Sequence, residues 1–86
     1  MAQFQLNKQA TVMTRLTELL RIKVIVKLQE FGEVRGVIEE IVAPAIADDL
    51  QRSIDMTQFK VKLDSGETVT VPGSAFSKIE YAITQN

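Results

Sequence analysis

The chain contains no cysteine and no histidine. Without cysteine, neither a disulfide nor a thiolate metal site can staple the fold, which fits a reducing compartment. Without histidine, the commonest general base, the commonest zinc ligand and the usual switch near neutral pH are all missing. An excess of one charge is also lacking. Ten Lys and Arg stand against eleven Asp and Glu, for a formal net charge of −1, which argues against non-specific binding to a long polyanion. No stretch approaches the ~18 consecutive apolar residues of a spanning helix. Met1-Ala2-Gln3-Phe4-Gln5 shows no basic region leading into an apolar run. The expectation is a cytoplasmic protein with no membrane segment.

What is present is a chain of 86 residues, 45% hydrophobic and 24% charged, the composition of a single folded domain over residues 1–86. A domain of this size buries only ~60–65% of the surface its unfolded chain exposes. Its own core is modest, and oligomerisation would add burial that one copy lacks.

The sequence is organised around Arg21 to Val42. Ile22, Val24, Val26 and Leu28 alternate with Arg21, Lys23 and Lys27, which predicts a half-buried strand over about 21–28. Gln29-Glu30-Phe31-Gly32 follows as a short turn with Gly32 in the left-handed position. A second strand is predicted over about 33–42, with Gly36 inside it. Glycine in a strand marks a sharp bend or a close backbone approach. Upstream, Asn7 is the expected N-cap of a helix over about 8–20, with Val12, Met13, Leu16, Leu19 and Leu20 on one stripe. Such a helix either lids the apolar face of the sheet or binds a partner, and a small β domain needs the lid.

Ala43 to Ile54 loses the alternation. It is either an ordered loop or a helix of one to two turns, with Pro44 at its first position and Asp48 and Asp49 near its positive end. Three further strands are expected over about 57–64, 67–72 and 77–83. Phe59, Val61 and Leu63 alternate with lysines, Asp64-Ser65-Gly66-Glu67 reads as a tight hairpin, and Pro72-Gly73-Ser74 stops the fourth strand. The expected architecture is a helix followed by a strongly bent, five-stranded antiparallel meander closing into a small SH3-like barrel.

No enzymatic activity is expected. Ser53, Ser65, Ser74 and Ser77 have no histidine to activate them, and Glu39 and Glu40 alternate across a strand, on opposite faces. Asp48 and Asp49 alone are not a cation shell, so neither metal nor cofactor is expected. Lys23, Lys27, Arg35, Lys60 and Lys62 form a candidate basic face. It reads either as a strip for phosphates or as the wet side of amphipathic strands.

Taken together, Val24-Ile25-Val26-Lys27-Leu28, its glycine turn and Glu33-Val34-Arg35-Gly36-Val37-Ile38 resemble the first motif of the Sm/LSm family of small RNA-associated ring proteins. Val71-Pro72-Gly73-Ser74-Ala75-Phe76 with Ile79-Glu80-Tyr81 resembles the second. The resemblance implies a homo-oligomeric ring in which the fourth strand of one copy pairs with the fifth of the next, with Val69, Val71, Ile79, Tyr81 and Ile83 at the interface. It also implies single-stranded RNA as a partner, with Asp55, Met56, Gln58, Gly73 and Ser74 as the matching site residues. Two departures stand against that site: Met56 replaces a stronger stacking group, and Pro72 stands where the family has a cation. A ring that serves as a structural or protein-interaction module without nucleic acid is the second reading.

Overall fold

The computed structural model describes the backbone of residues 2–80 and the side chains of residues 10–80. Helix α1 (Ala2–Thr17) precedes strands β1 (Lys23–Leu28) and β2 (Gly32–Ala43), helix α2 (Leu50–Met56), β3 (Gln58–Leu63), β4 (Thr68–Pro72), a 3₁₀ turn (Gly73–Ala75) and β5 (Phe76–Glu80). The protein is mainly β, with an N-terminal helix and one five-stranded antiparallel sheet.

The sheet order is β4-β3-β2-β1-β5, which corrects the expected meander. The last two strands are not neighbours; they form opposite edges of the sheet. On a flat sheet four strand spacings would part them by ~19 Å, whereas the four steps from Pro72 to Phe76 reach at most ~14 Å. The sheet must therefore curl. The same curl brings the Phe59 ring of β3 within 5.3 Å of the Phe76 ring of β5, although β2 and β1 lie between those strands.

Val24, Val26, Ile38, Phe59, Val61, Leu63 and Val71 line the inner face and are buried. Val12, Leu16 and Leu19 from the N-terminal segment and Ile54 from α2 complete the core. Burying a side chain such as Leu16 fully is worth ~1.5–3 kcal/mol relative to leaving it in water, so this helix stripe stabilises a sheet too small to cover itself.

Gly36 is the close approach its position suggests. A methyl there would meet Val61 Cγ1 at 2.7 Å and the Lys62 carbonyl oxygen at 2.8 Å, so β3 can lie against β2 only because that side chain is absent. Gly32 and Gly66 take φ of 70° and 98° in their turns, where other residues are strained.

Several local expectations are corrected. Helix α1 begins ahead of Asn7, which lies within it, and ends at Thr17. Leu19 and Leu20 follow in a turn. Arg21 and Ile22 fall outside β1, and Arg21 adopts φ 71°, a left-handed conformation that lets the chain leave the helix and donate Arg21 N–H to the Ile38 carbonyl at 2.7 Å. In β2 the register slips between Ile38 and Glu40 and again between Ile41 and Ala43. The extra residue leaves both Glu39 and Glu40 exposed rather than on opposite faces, with Glu40 3.6 Å from Lys60.

Pro44 does not open a helix. Helix α2 starts at Leu50, capped by Asp49, whose side chain accepts a hydrogen bond from Arg52 N at 2.8 Å. Asp49 thus satisfies an amide that the helix leaves unpaired.

Candidate self-assembly edges and ligand surface

Three lengths of strand present backbone with no partner strand among the described residues. They are the outer sides of β4 and β5 and the part of β2 beyond the start of β1. The phase of β4 follows from one hydrogen bond, Leu63 N–H to the Glu67 carbonyl at 2.7 Å. Hydrogen-bonded pairs recur every second residue of an antiparallel ladder, and Val61 and Phe59 oppose Val69 and Val71. Val69 and Val71 therefore spend their amides on β3, and Thr68 and Thr70 direct theirs outward. No residue of Thr68–Pro72 is charged, and its pairing with β3 runs without a bulge.

Strand β5 is the more polar edge. Its register against β1 slips between Lys78 and Phe76, where Ser77 Oγ donates to the Ile25 carbonyl at 3.3 Å. Lys78 and Glu80 lie 3.9 Å apart. The side chains expected at a subunit interface have mostly been drawn inward: Val71 is buried in the chain's own core, and Val69 and Ile79 are half-buried against it. Tyr81 and Ile83 lie outside the described residues. What the edges offer is main chain.

The five cations expected to share a face do so. Lys23 and Lys62 both oppose Val37, Arg35 opposes Ile25, Lys27 opposes Glu33 and Lys60 opposes Glu40. Lys23 also opposes Glu80, and Lys78 opposes Ile25, so Lys78 joins a face on which sequence reasoning had not placed it. Acids interleave throughout: Lys27, Lys60 and Lys23 each have a glutamate directly across the ladder. A recess of about 140 Å³ on this side is lined by Lys23, Arg35 and Val37 together with Asp64 and Glu80. The arrangement is a mixed surface, not a cationic strip, and a phosphate chain laid across it would meet Glu33, Glu40, Asp64 and Glu80 among the cations.

The residues matched to an RNA site gather where α2, β3 and the 3₁₀ turn meet, but not in a loop. Asp55 and Met56 are the last residues of α2, and Asp55 Oδ1 accepts from Gln51 Nε2 at 3.0 Å. Met56 is 58% exposed. Gln58 opens β3 opposite Pro72 and is half-buried, and Ser74 is exposed on the 3₁₀ turn.

Gly73 is buried. A methyl on it would overlap the Ile54 carbonyl, and its N–H donates to the Thr57 carbonyl at 2.9 Å. Its geometry gives it a packing role.

Two buried hydroxyls hold this junction. Thr57 Oγ1 accepts from Ala45 N at 2.9 Å and donates to the Ser53 carbonyl at 2.7 Å. Ser53 Oγ accepts from Ala47 N at 2.8 Å and donates to the Asp49 carbonyl at 2.9 Å. Both residues have 0% exposure, and their bonds tie the stretch after β2 to α2. The sequence signal for this was present in Ser53 and Thr57 flanking an apolar Ile54, yet hydroxyls at that spacing serve equally well on a wet surface.

No group of His, Cys, Asp and Glu able to hold a metal occurs among the described residues. Compared with known proteins, the chain matches no family model, no curated relative and no solved structure.

Proposed function

We propose that this chain is a self-assembling module resembling the Sm/LSm proteins, a small barrel left open between β4 and β5 that copies of itself complete by edge pairing into a closed ring. The barrel reading is supported by the curl that the three-residue link between opposite edges demands. One observation carries the assembly: β4 is an uncharged, unbulged edge of five residues whose outward amides have no partner strand among the described residues. Soluble proteins normally protect such an edge or pair it. The other free edge, β5, is also five residues long, and two different edges that satisfy each other head to tail close into a ring when the rotation allows.

The measurement is native mass spectrometry of the whole chain across a concentration series. A single oligomer of several copies is expected. A chain that stays monomeric at high micromolar concentration overturns the proposal.

A second reading, in which the ring binds single-stranded RNA, is favoured by the exposed Met56, the Gln58 amide and the Ser74 hydroxyl, carried on α2, β3 and the 3₁₀ turn where these elements meet. A ring would repeat this cluster once per copy, so that weak contacts act together. Titration of a labelled uridine- or adenine-rich oligomer at low and then raised salt tests it. Binding that weakens with salt and is reduced at least severalfold by Gln58→Ala is expected. Absence of binding by the intact oligomer leaves a ring with a structural or protein-docking role.

A further inference from the structure

We infer that the joint between α2 and the 3₁₀ turn sets the angle between the β4 and β5 edges, and with it the number of copies in the ring. This rests on the ring proposed above. Along the chain the two edges are joined directly by Gly73–Ala75, while through the sheet three strands lie between them, so a rotation in those residues is taken up by the curl of the sheet and swings one edge relative to the other. Those residues are clamped from one side. The turn packs on α2 as well as on β1 and β4, with Gly73 pressed on the Ile54 carbonyl and bonded to the Thr57 carbonyl at 2.9 Å.

Helix α2 cannot yield easily, because the Ser53 and Thr57 hydroxyls lock it to Ala47 and Ala45. At the far end of the turn, the Phe76 ring rests on buried Phe59 at 5.3 Å, which fixes where β5 starts. The clamp therefore runs from the segment after β2, through α2, to both free edges.

Ring size is sensitive to such a joint. A closed ring of n copies turns through 360°/n at each interface, and six copies differ from seven by only about 9°. A methyl at Gly73 would overlap the Ile54 carbonyl and force a shift of about 1–2 Å, which across a five-residue strand ~16 Å long is a tilt of ~4–7°, the same order as that difference. The inserted helix, which looks like a mere interruption between β2 and β3, then becomes the wedge that selects one closed assembly.

The test compares the wild-type chain with Gly73→Ala and with the double variant Ser53→Ala/Thr57→Val by native mass spectrometry, with circular dichroism to establish that each protomer is folded. Gly73→Ala forces the turn away from Ile54, and the double variant loosens the seat of α2 without touching either edge. The expected result is a changed copy number, a mixture of copy numbers or loss of the closed ring in at least one folded variant. A folded variant set that keeps the wild-type copy number as a single species overturns the inference. If Gly73→Ala fails to fold, the double variant decides. A monomeric wild-type chain would instead remove the ring itself, a different outcome from an oligomer indifferent to the joint.

Discussion

Two free edges of the same sheet are built in opposite ways. Along β2, the cover given by the chain entering β1 stops at Ile38, whose N–H donates to the Ile22 carbonyl at 3.0 Å. Past that point Glu39–Ala43 has no partner on that side among the described residues. This stretch carries two register slips, two exposed acids and a proline immediately after it, each of which discourages another strand from adding. Strand β4 carries neither slip nor charge, and its one proline stands at the end. By that measure β2 is the defended edge and β4 the plain one; β5, with one slip and the Lys78–Glu80 pair, stands between them, which makes β4 the edge on which the proposed assembly depends most.

The largest expected effect comes from Thr70→Pro. Its amide points outward by the phase of the ladder, so proline removes a bond to a neighbouring copy and none to β3. The proposed ring should dissolve into folded monomers, read by analytical ultracentrifugation. Val69→Pro, one residue away, removes a ladder amide instead and should destabilise the fold itself by about 1–3 kcal/mol, the cost of leaving its acceptor on β3 unsatisfied. If Thr70→Pro leaves the assembly intact, β4 is not the pairing edge and the contrast with β2 loses its meaning.

A smaller effect is expected from Glu39→Thr combined with Glu40→Thr. The double substitution removes the exposed Lys60–Glu40 pair, worth ~0–1 kcal/mol, so the fold should barely change. Higher-order association should rise with concentration in light scattering, because the defended edge has lost its charges. A double variant as well dispersed as the parent would show that the two slips in register suffice without the acids.

These contrasts were only partly legible in the sequence. Alternation named the buried set correctly at Val24, Val26, Phe59, Val61 and Leu63, because period two is a local consequence of the pleat. The step of three from Ile38 to Ile41 already carries the bulge, but a strand read at fixed period passes over it. Asp49 ahead of Leu50 is a capping signal that Pro44 obscured by offering an earlier start.

The separation of β4 from β5 had no local sign at all. Pro72-Gly73-Ser74 suits a tight hairpin turn as well as a link across a curled sheet, and curvature is decided by the whole set of strands. For the candidate site, the amide of Gln58 and the hydroxyl of Ser74 were legible as chemistry. The burial of Gly73 was not, since it depends on α2 arriving from elsewhere in the chain.

The finest test concerns Arg21, which marks where cover of β2 ends. A non-glycine residue held left-handed costs ~1–2 kcal/mol, and Arg21 sits there at φ 71° to place its N–H 2.7 Å from the Ile38 carbonyl. Arg21→Gly keeps that bond and removes the strain, against the ~0.5–1 kcal/mol that glycine's added freedom costs when it is ordered. The net expectation is a gain of about 0.5–1 kcal/mol, a rise in melting temperature of ~2–8 °C for a domain this small, with the copy number unchanged. A fall in melting temperature would mean that the guanidinium, not the backbone, holds this corner, and that β2 owes part of its defence to a side chain beyond its own two acids.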